Sequence, residues 1–372
     1  MSDVVKFFEA KKPWSKYKDL ILDYYLHPYL AKVARLRKPI AIVDCFAGAG
    51  RFDDGEPGSP IIITKHLREL AKGGVSVQAL LIEKDKLLYD RLRSNVADAG
   101  IHVQIRHGDF RNHADEIAKL ASTHTLFLYV DPIAPGQLHF GDLRVAYEKL
   151  SVGQSIETLV NFLSGGFVRR AEGLLPGATH DGLLDKRHDE VLECDAIAGG
   201  QYWQEIVTDD SLKHSERVER VASAYANCLH EWFRFVLTYP IREKHKDQIP
   251  KYHLIFGSRH EDAIELMNSA MVKARRKSIK AQCVEGMLFP NEPAEEVPDP
   301  NAAEQLIVEA LGRIGETTWE MLRVHATLAL PCMFTQPELN KAIKHAIQTK
   351  KIGSQATGTR IEDKAKVWPI ST

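Results

Sequence analysis

The chain has 372 residues, 44% hydrophobic and 27% charged, with 49 basic against 50 acidic side chains and a formal net charge of −1. That make-up is ordinary for a globular protein with room for two or three domains, and it excludes a chain that coats nucleic acid non-specifically, which would be far more basic. No run of about 18 apolar residues is present, which excludes a membrane-spanning helix, and Met1-Ser2-Asp3-Val4-Val5-Lys6 lacks the apolar core of a secretion signal, so a cytoplasmic protein is expected.

The five cysteines, Cys45, Cys194, Cys228, Cys283 and Cys332, show no metal or redox spacing and read as small apolar residues. Residues 11–36 carry Trp14, Tyr17, Ile21, Tyr24 and Tyr25 near helical spacing, with Pro13 suited to a first turn and Pro28 expected to kink or restart the helix. Lys11, Lys12, Lys16 and Lys18 are expected on the opposite, solvated side. The segment reads either as a cover for one sheet edge or as a lid over a ligand.

Ile40-Ala41-Ile42-Val43-Asp44 is an apolar, β-branched run, and Cys45-Phe46-Ala47-Gly48-Ala49-Gly50 follows. This predicts a buried strand and a loop whose glycines, Gly48 and Gly50, let backbone approach a ligand. In open α/β sheets ligands lie at the carboxyl ends of strands. The pattern lacks the third glycine of the dinucleotide fingerprint, which argues against a nicotinamide dehydrogenase. A polar loop, residues 53–58, delays the next helix, predicted from Ser59-Pro60 to about Leu70.

A second apolar run, residues 75–82, ends at Glu83, where adenosine-binding folds accept the ribose hydroxyls; Asp85 lies close enough to be the alternative. A helix is predicted from Lys86 to about Ala99. The alternating stretch 101–105 leads to Asp109, placed to accept an adenine amine, with Phe110 able to flank the ring. Residues 125–130 form the strongest strand in the sequence and end in Asp131-Pro132-Ile133-Ala134-Pro135; the prolines pin an extended backbone whose carbonyls can face a ligand. A further strand covers 157–163. Four successive strand-end acids, Asp44, Glu83, Asp109 and Asp131, alternate with helical patterns. The expected fold class is α/β, a doubly wound, mostly parallel sheet.

Residues 164–213 have poor periodicity and read as an insertion. A helix over 214–234, an antiparallel pair over 233–240 and 252–256, and a helix over 261–275 complete the domain, expected to run from 37 to 285. Lys273, Arg275, Arg276, Lys277 and Lys280 form a basic cluster, either a solvated helix end or a phosphate contact. Proline and acidic residues mark a linker, 286–301. Beyond it, three helical patterns and a hairpin over 302–372 describe a winged-helix-like module. Lys341, Lys344, Lys350 and Lys351 would line its third helix, and Arg360, Lys364 and Lys366 the wing. It could bind DNA or RNA, or dock a protein.

Asp44-x-Phe46-Ala47-Gly48-x-Gly50-Arg51-Phe52, Gly58-Ser59-Pro60, Tyr129-Val130-Asp131-Pro132 and Tyr252-His253-Leu254-Ile255-Phe256 resemble the three-Cys-motif partner family, TcmP. So do Lys12-Pro13-Trp14-Ser15-Lys16 and Gly286-Met287-Leu288-Phe289-Pro290, and the resemblance covers nearly the whole chain. It implies a Rossmann-like methyltransferase fold, S-adenosyl-L-methionine as cofactor, and a partner bearing a three-cysteine motif and resembling radical S-adenosylmethionine enzymes. It further implies that Asp44, Phe46, Gly48 and Gly50 hold the cofactor's amino-acid end, Glu83 its ribose, and Asp109 and Phe110 its adenine. Asp131 and Pro132 would face the transferring methyl. Related amino-methyltransferases of nucleic acids carry a second proline and an aromatic after this Asp-Pro. Ile133 and Ala134 stand there in this chain, with Phe140 as a possible substitute. A non-catalytic adaptor that recruits the partner is the alternative implied.

Overall fold

The computed structural model describes residues 11–148, 155–174, 184–243, 247–286, 299–356 and 363–370. They fall into two compact units. One takes in the chain through Asp19 together with Leu26–Arg259; the other takes in Leu20–Tyr25 and the chain from His260 onward.

The first unit is built on a seven-stranded sheet. Its strands are β1 (Ile40–Asp44), β2 (Val77–Glu83), β3 (His102–His107), β4 (Thr125–Val130), β5 (Ile156–Phe162), β6 (Phe235–Ile241) and β7 (Tyr252–Ser258). Their order is β3-β2-β1-β4-β5-β7-β6, and β7 runs antiparallel to both neighbours while the β1–β5 pairs are all parallel. This is the doubly wound, mostly parallel α/β architecture that the sequence pattern predicts. β1 and β4 are buried at every position, as central strands with both faces covered must be. The order reverses between β1 and β4, so the ligand crevice of such a sheet opens above Asp44 and Asp131.

The helices of this unit are α1 (Pro13–Val33), shared with the second unit over Leu20–Tyr25, then α2 (Ser59–Lys72), α3 (Lys86–Asn95), α4 (Ala114–Thr123) and α5 (Phe140–Glu148). They are followed by α6 (Ser164–Glu172), α7 (Leu184–Ala198), α8 (Tyr202–Thr208) and α9 (His214–Cys228). α1 runs unbroken through Pro28, where the sequence suggested an interruption. α3 ends four residues before the expected Ala99, at Asn95. The stretch expected as an irregular insertion holds α6, α7 and α8. Gly165-Gly166 and Gly199-Gly200 mask the helical period there, and Gly199, at φ 76°, lies so close to Phe140 that a Cβ would sit 2.4 Å from its ring.

The second unit contains α10 (Glu261–Gly286), α11 (Pro300–Ile314), β8 (Thr317–Thr318), α12 (Trp319–Ala329), α13 (Gln336–Gln348), β9 (Ile352–Ser354) and β10 (Lys366–Pro369). Its small antiparallel sheet has the order β8-β10-β9. α10, expected with the sheet domain, groups instead with this unit. Buried Arg323 on α12 pairs with Glu265 on α10, and Asn268 bonds the Cys332 amide and the Phe334 carbonyl, both at 2.7 Å. Thr335 and Glu338 form a reciprocal cap at the start of α13. The expected linker lies outside the described residues from 287 to 298, as does Arg360 in the wing.

Candidate active site at the carboxyl edge

The loop after β1 is shaped by its glycines. Gly48 (φ 61°) and Gly50 (φ 79°) adopt backbone that other residues reach only with strain. A Cβ on Gly50 would also press on Leu92 at 3.2 Å. The Gly48 amide donates to Glu83 Oε2 at 2.7 Å, Asn95 donates to the Ala49 carbonyl at 2.7 Å, and the Gly58 amide donates to the Gly50 carbonyl at 2.9 Å. The glycine loop is therefore fixed from β2, α3 and the inserted loop together.

Glu83 closes β2 and also accepts from the Asp85 amide at 2.7 Å. Burial raises its carboxyl above the usual range against these two amide bonds. The Asp85 side chain, the sequence alternative to Glu83, caps α3 through the Leu87 and Leu88 amides. Asp109 sits apart. Burial would raise it, but bonds from the Lys84 ammonium (2.9 Å) and the Arg111 amide (3.3 Å) outweigh that and hold it low. Phe110 does not offer an open ring: it is buried in the core and packs on Phe46 with ring centroids 5.9 Å apart.

A cavity of about 240 Å³ opens at the β1–β4 switch point. Of the predicted site residues, Phe46, Gly50, Asp131 and Pro132 line it; Asp44, Gly48, Glu83, Asp109 and Phe110 do not. Its remaining walls come from α1 (Trp14, Ser15, Lys18, Asp19), from Ser59, from Asn161 and Leu163 at the end of β5, and from Lys251 and Tyr252 at the start of β7. The reversal of β7 explains the last pair, since an antiparallel strand begins where its neighbours end.

Asp131 is the hub. Its Oδ1 accepts from Asn161 Nδ2 at 2.6 Å, and its Oδ2 is ion-paired with Lys18 Nζ and lies 3.4 Å from the Tyr129 hydroxyl. Lys18 also lies over the Tyr252 ring, 5.7 Å from its centroid, and the Tyr252 hydroxyl donates to the Trp14 carbonyl at 3.1 Å. Lys11 is likewise buried, paired with Asp19 at 2.6 Å and bonded to the Pro57 carbonyl, while its amide donates to Asp54 at 3.0 Å. The expectation that Lys11 and Lys18 are solvated is thus corrected: both are buried, Lys11 against the buried Asp19 and Lys18 against the half-buried Asp131. The first turns of α1 wall the cavity.

Asp44 lies beneath this cluster, fully buried. Burial pushes its carboxyl up to about 7, with neighbouring Asp131 and Asp19 adding to the rise against hydrogen bonds from Ser59 and the Phe46 amide. Asp44 Oδ2, Asn161 Oδ1 and Ser15 Oγ are buried without a hydrogen-bond partner. Buried polar atoms are rarely left so; Ser15 and Asn161 line the cavity, and Asp44 lies outside its lining.

Ser164 Oγ lies 2.7 Å from His253 Nδ1, and His253 Nε2 lies 2.8 Å from Glu219. The set has the composition of a hydrolytic triad, but Ser164 and His253 are wholly buried, so the serine cannot meet a substrate. The chain instead fixes the ends of β5 and β7 beside Leu163 and Tyr252. Phe140, the possible aromatic substitute near Asp131, is buried against Tyr225 and Trp232 and does not reach the cavity; Trp14, Phe46, Phe52 and Tyr252 supply its aromatic surface. Sequence reasoning missed Lys18, Asp19 and Asn161 as site residues. Only Asn161, a lone amide in an apolar strand, carried a local signal.

No family model matches this sequence. No curated protein matches it. Among solved structures, an O-methyltransferase from Bacillus cereus in complex with SAH is similar at a TM-score of 0.31 and 11% identity, over 68% of this chain and 94% of that one. That likeness is too slight to carry a ligand or a reaction across.

Proposed function

We propose that this protein is an S-adenosyl-L-methionine-dependent methyltransferase of the three-Cys-motif partner type. The observation that carries the reading is the cavity at the β1–β4 switch point, with the Phe46–Gly50 loop on one wall and the Asp131 carboxylate on another. Glu83 would hold ribose hydroxyls, the glycine loop and Asp44 the amino-acid end, and Asp109 the adenine amine. The unpartnered buried oxygens of Asp44, Asn161 and Ser15 fit a ligand that carries an ammonium group and hydroxyls. When bound, the donor supplies an electrophilic methyl on a sulfonium. This chain's residues then do the positioning. Asn161 orients Asp131, Asp131 takes or anchors the acceptor's proton, and Trp14 and Tyr252 exclude water. Calorimetry with S-adenosyl-L-methionine tests the cofactor half. A folded protein that takes up no ligand at millimolar concentration rules it out.

A second reading is favoured by one observation: both Asp131 oxygens are already occupied by Asn161 and Lys18. On that reading the protein is an adaptor that recruits a three-Cys-motif, radical-enzyme-like partner and transfers nothing. A tritium-transfer assay over nucleic-acid and protein fractions separates the two. For the C-terminal module we propose a winged helix, supported by the order α11-β8-α12-α13-β9-β10. Lys341 and Lys350 are exposed there, as a nucleic-acid contact requires, whereas Lys351 and Lys366 are paired with Glu304 and Glu316. Of the basic cluster on α10, Arg276 is paired with Glu338 and Arg275 bonds the Cys332 carbonyl, which leaves a phosphate less to contact.

A further inference from the structure

We propose that the ε-amine of Lys18 is itself a methyl acceptor, so that the protein methylates its own first helix. The inference rests on the reading of the cavity as a sulfonium methyl-donor site. Three observations support it. Lys18 lines the same cavity as Phe46 and Gly50 of the proposed donor loop. Its Nζ is already bonded to Asp131 Oδ2, the group proposed to take the acceptor's proton. Asp131 is in turn fixed by Asn161, which leaves Oδ2 facing the lysine.

An amine acceptor needs a path to the methyl, a proton acceptor within hydrogen-bond reach, and a held orientation. Lys18 has the second and third from its own fold, with its ammonium over the Tyr252 ring, 5.7 Å from the centroid. The other lysine of the cavity wall, Lys251, lacks the second. It stacks on Trp14, 3.5 Å from the ring centroid, and the carboxylate it pairs with, Glu243, is 4.0 Å away and not part of the wall.

In the step, the Lys18 ammonium gives a proton to Asp131, and the freed lone pair forms the bond to the donor's methyl carbon. The carbon–sulfur bond breaks and its electron pair stays on sulfur, leaving a neutral thioether. Asp131 passes the proton to solvent. The product is a secondary ammonium with its charge unchanged, so the pairing with Asp131 persists.

The test uses the full chain. Donor binding is first measured by calorimetry with S-adenosyl-L-methionine. Peptide mapping by mass spectrometry, on the protein as purified and after incubation with the donor, then locates any added methyl group. The expected result is methylation of Lys18, at a rate independent of protein concentration, and its loss in Lys18→Arg, which keeps the cation. A donor that binds while Lys18 stays unmodified overturns the proposal and leaves the donor reading standing. Methyl found on Lys251 alone also overturns it. No donor binding removes the donor reading and this one with it.

Discussion

The two halves of the sheet's carboxyl edge satisfy their acids in different ways. Over β2 and β3, Glu83 is bonded by the amides of Gly48 and Asp85, and Asp109 is neutralised by Lys84 and Arg111 at the surface. Over β4 and β5, Asp131 is met by Lys18, 113 residues earlier in the chain, and by Asn161 from the next strand. In the first half two of the four partners are neighbours in sequence, Asp85 of Glu83 and Arg111 of Asp109; in the second neither partner is. The first should tolerate loss of a single partner. The second should not, because a partner removed there strands a buried charge.

Asp131→Asn is the sharpest way to break that contrast. It leaves the Lys18 ammonium without its carboxylate, and we expect a loss of about 3 kcal/mol in denaturant unfolding. Under the methyltransferase reading, transfer falls by about 100-fold or more with it. Unchanged stability would mean that Lys18 is satisfied locally after all.

Asp44→Asn probes the same half through pH. Its carboxyl is raised to about 7 by burial, so the folded state holds the proton more tightly than the unfolded one. Stability contributed at low pH is therefore lost as pH rises from about 4 through 7, by on the order of 4 kcal/mol at most. The asparagine variant should match the parent near pH 4 and gain on it progressively toward pH 8. A difference that does not vary with pH refutes the assignment.

In the local half the effects are smaller. Gly50→Ala places a Cβ on left-handed backbone, 3.2 Å from Leu92, and should cost about 1–2 kcal/mol. Glu83→Gln keeps an acceptor for the Gly48 amide but turns an NH2 toward the Asp85 amide, so stability should fall by only about 1 kcal/mol. Donor affinity should still fall roughly tenfold, read by calorimetry, because a charged acceptor becomes a neutral one. A fall in stability with donor affinity unchanged would place Glu83 in the scaffold alone.

The same division explains what was legible in the sequence. The strand–acid–glycine order of Asp44, Gly48, Gly50 and Glu83 is a local pattern, and it predicted the sheet, its direction and the loop. The four strand-end acids were visible for the same reason. Lys18 was not, because Lys11, Lys12, Lys16 and Lys18 read as one solvated face until the fold turned two of them inward. Asn161 and Tyr252 enter the cavity only through strand order and the reversal of β7, which no window of sequence contains. The helices of 164–213 were hidden by paired glycines whose reason is close packing, as Gly199 against Phe140 shows.

The double anchoring of the first helix bears on how this chain can vary through descent. Lys11 is tied to Asp19 and Pro57, and Lys18 to Asp131, so their spacing is set at both ends. One residue added or removed between them would turn Lys18 by about 100° about the helix axis and away from its acid. Among relatives of this protein, residues 11–19 should exchange side chains without changing in length. The tip of the inserted loop at Gly55 faces open space and is free to change in length, but its left-handed backbone (φ 84°) favours keeping the glycine.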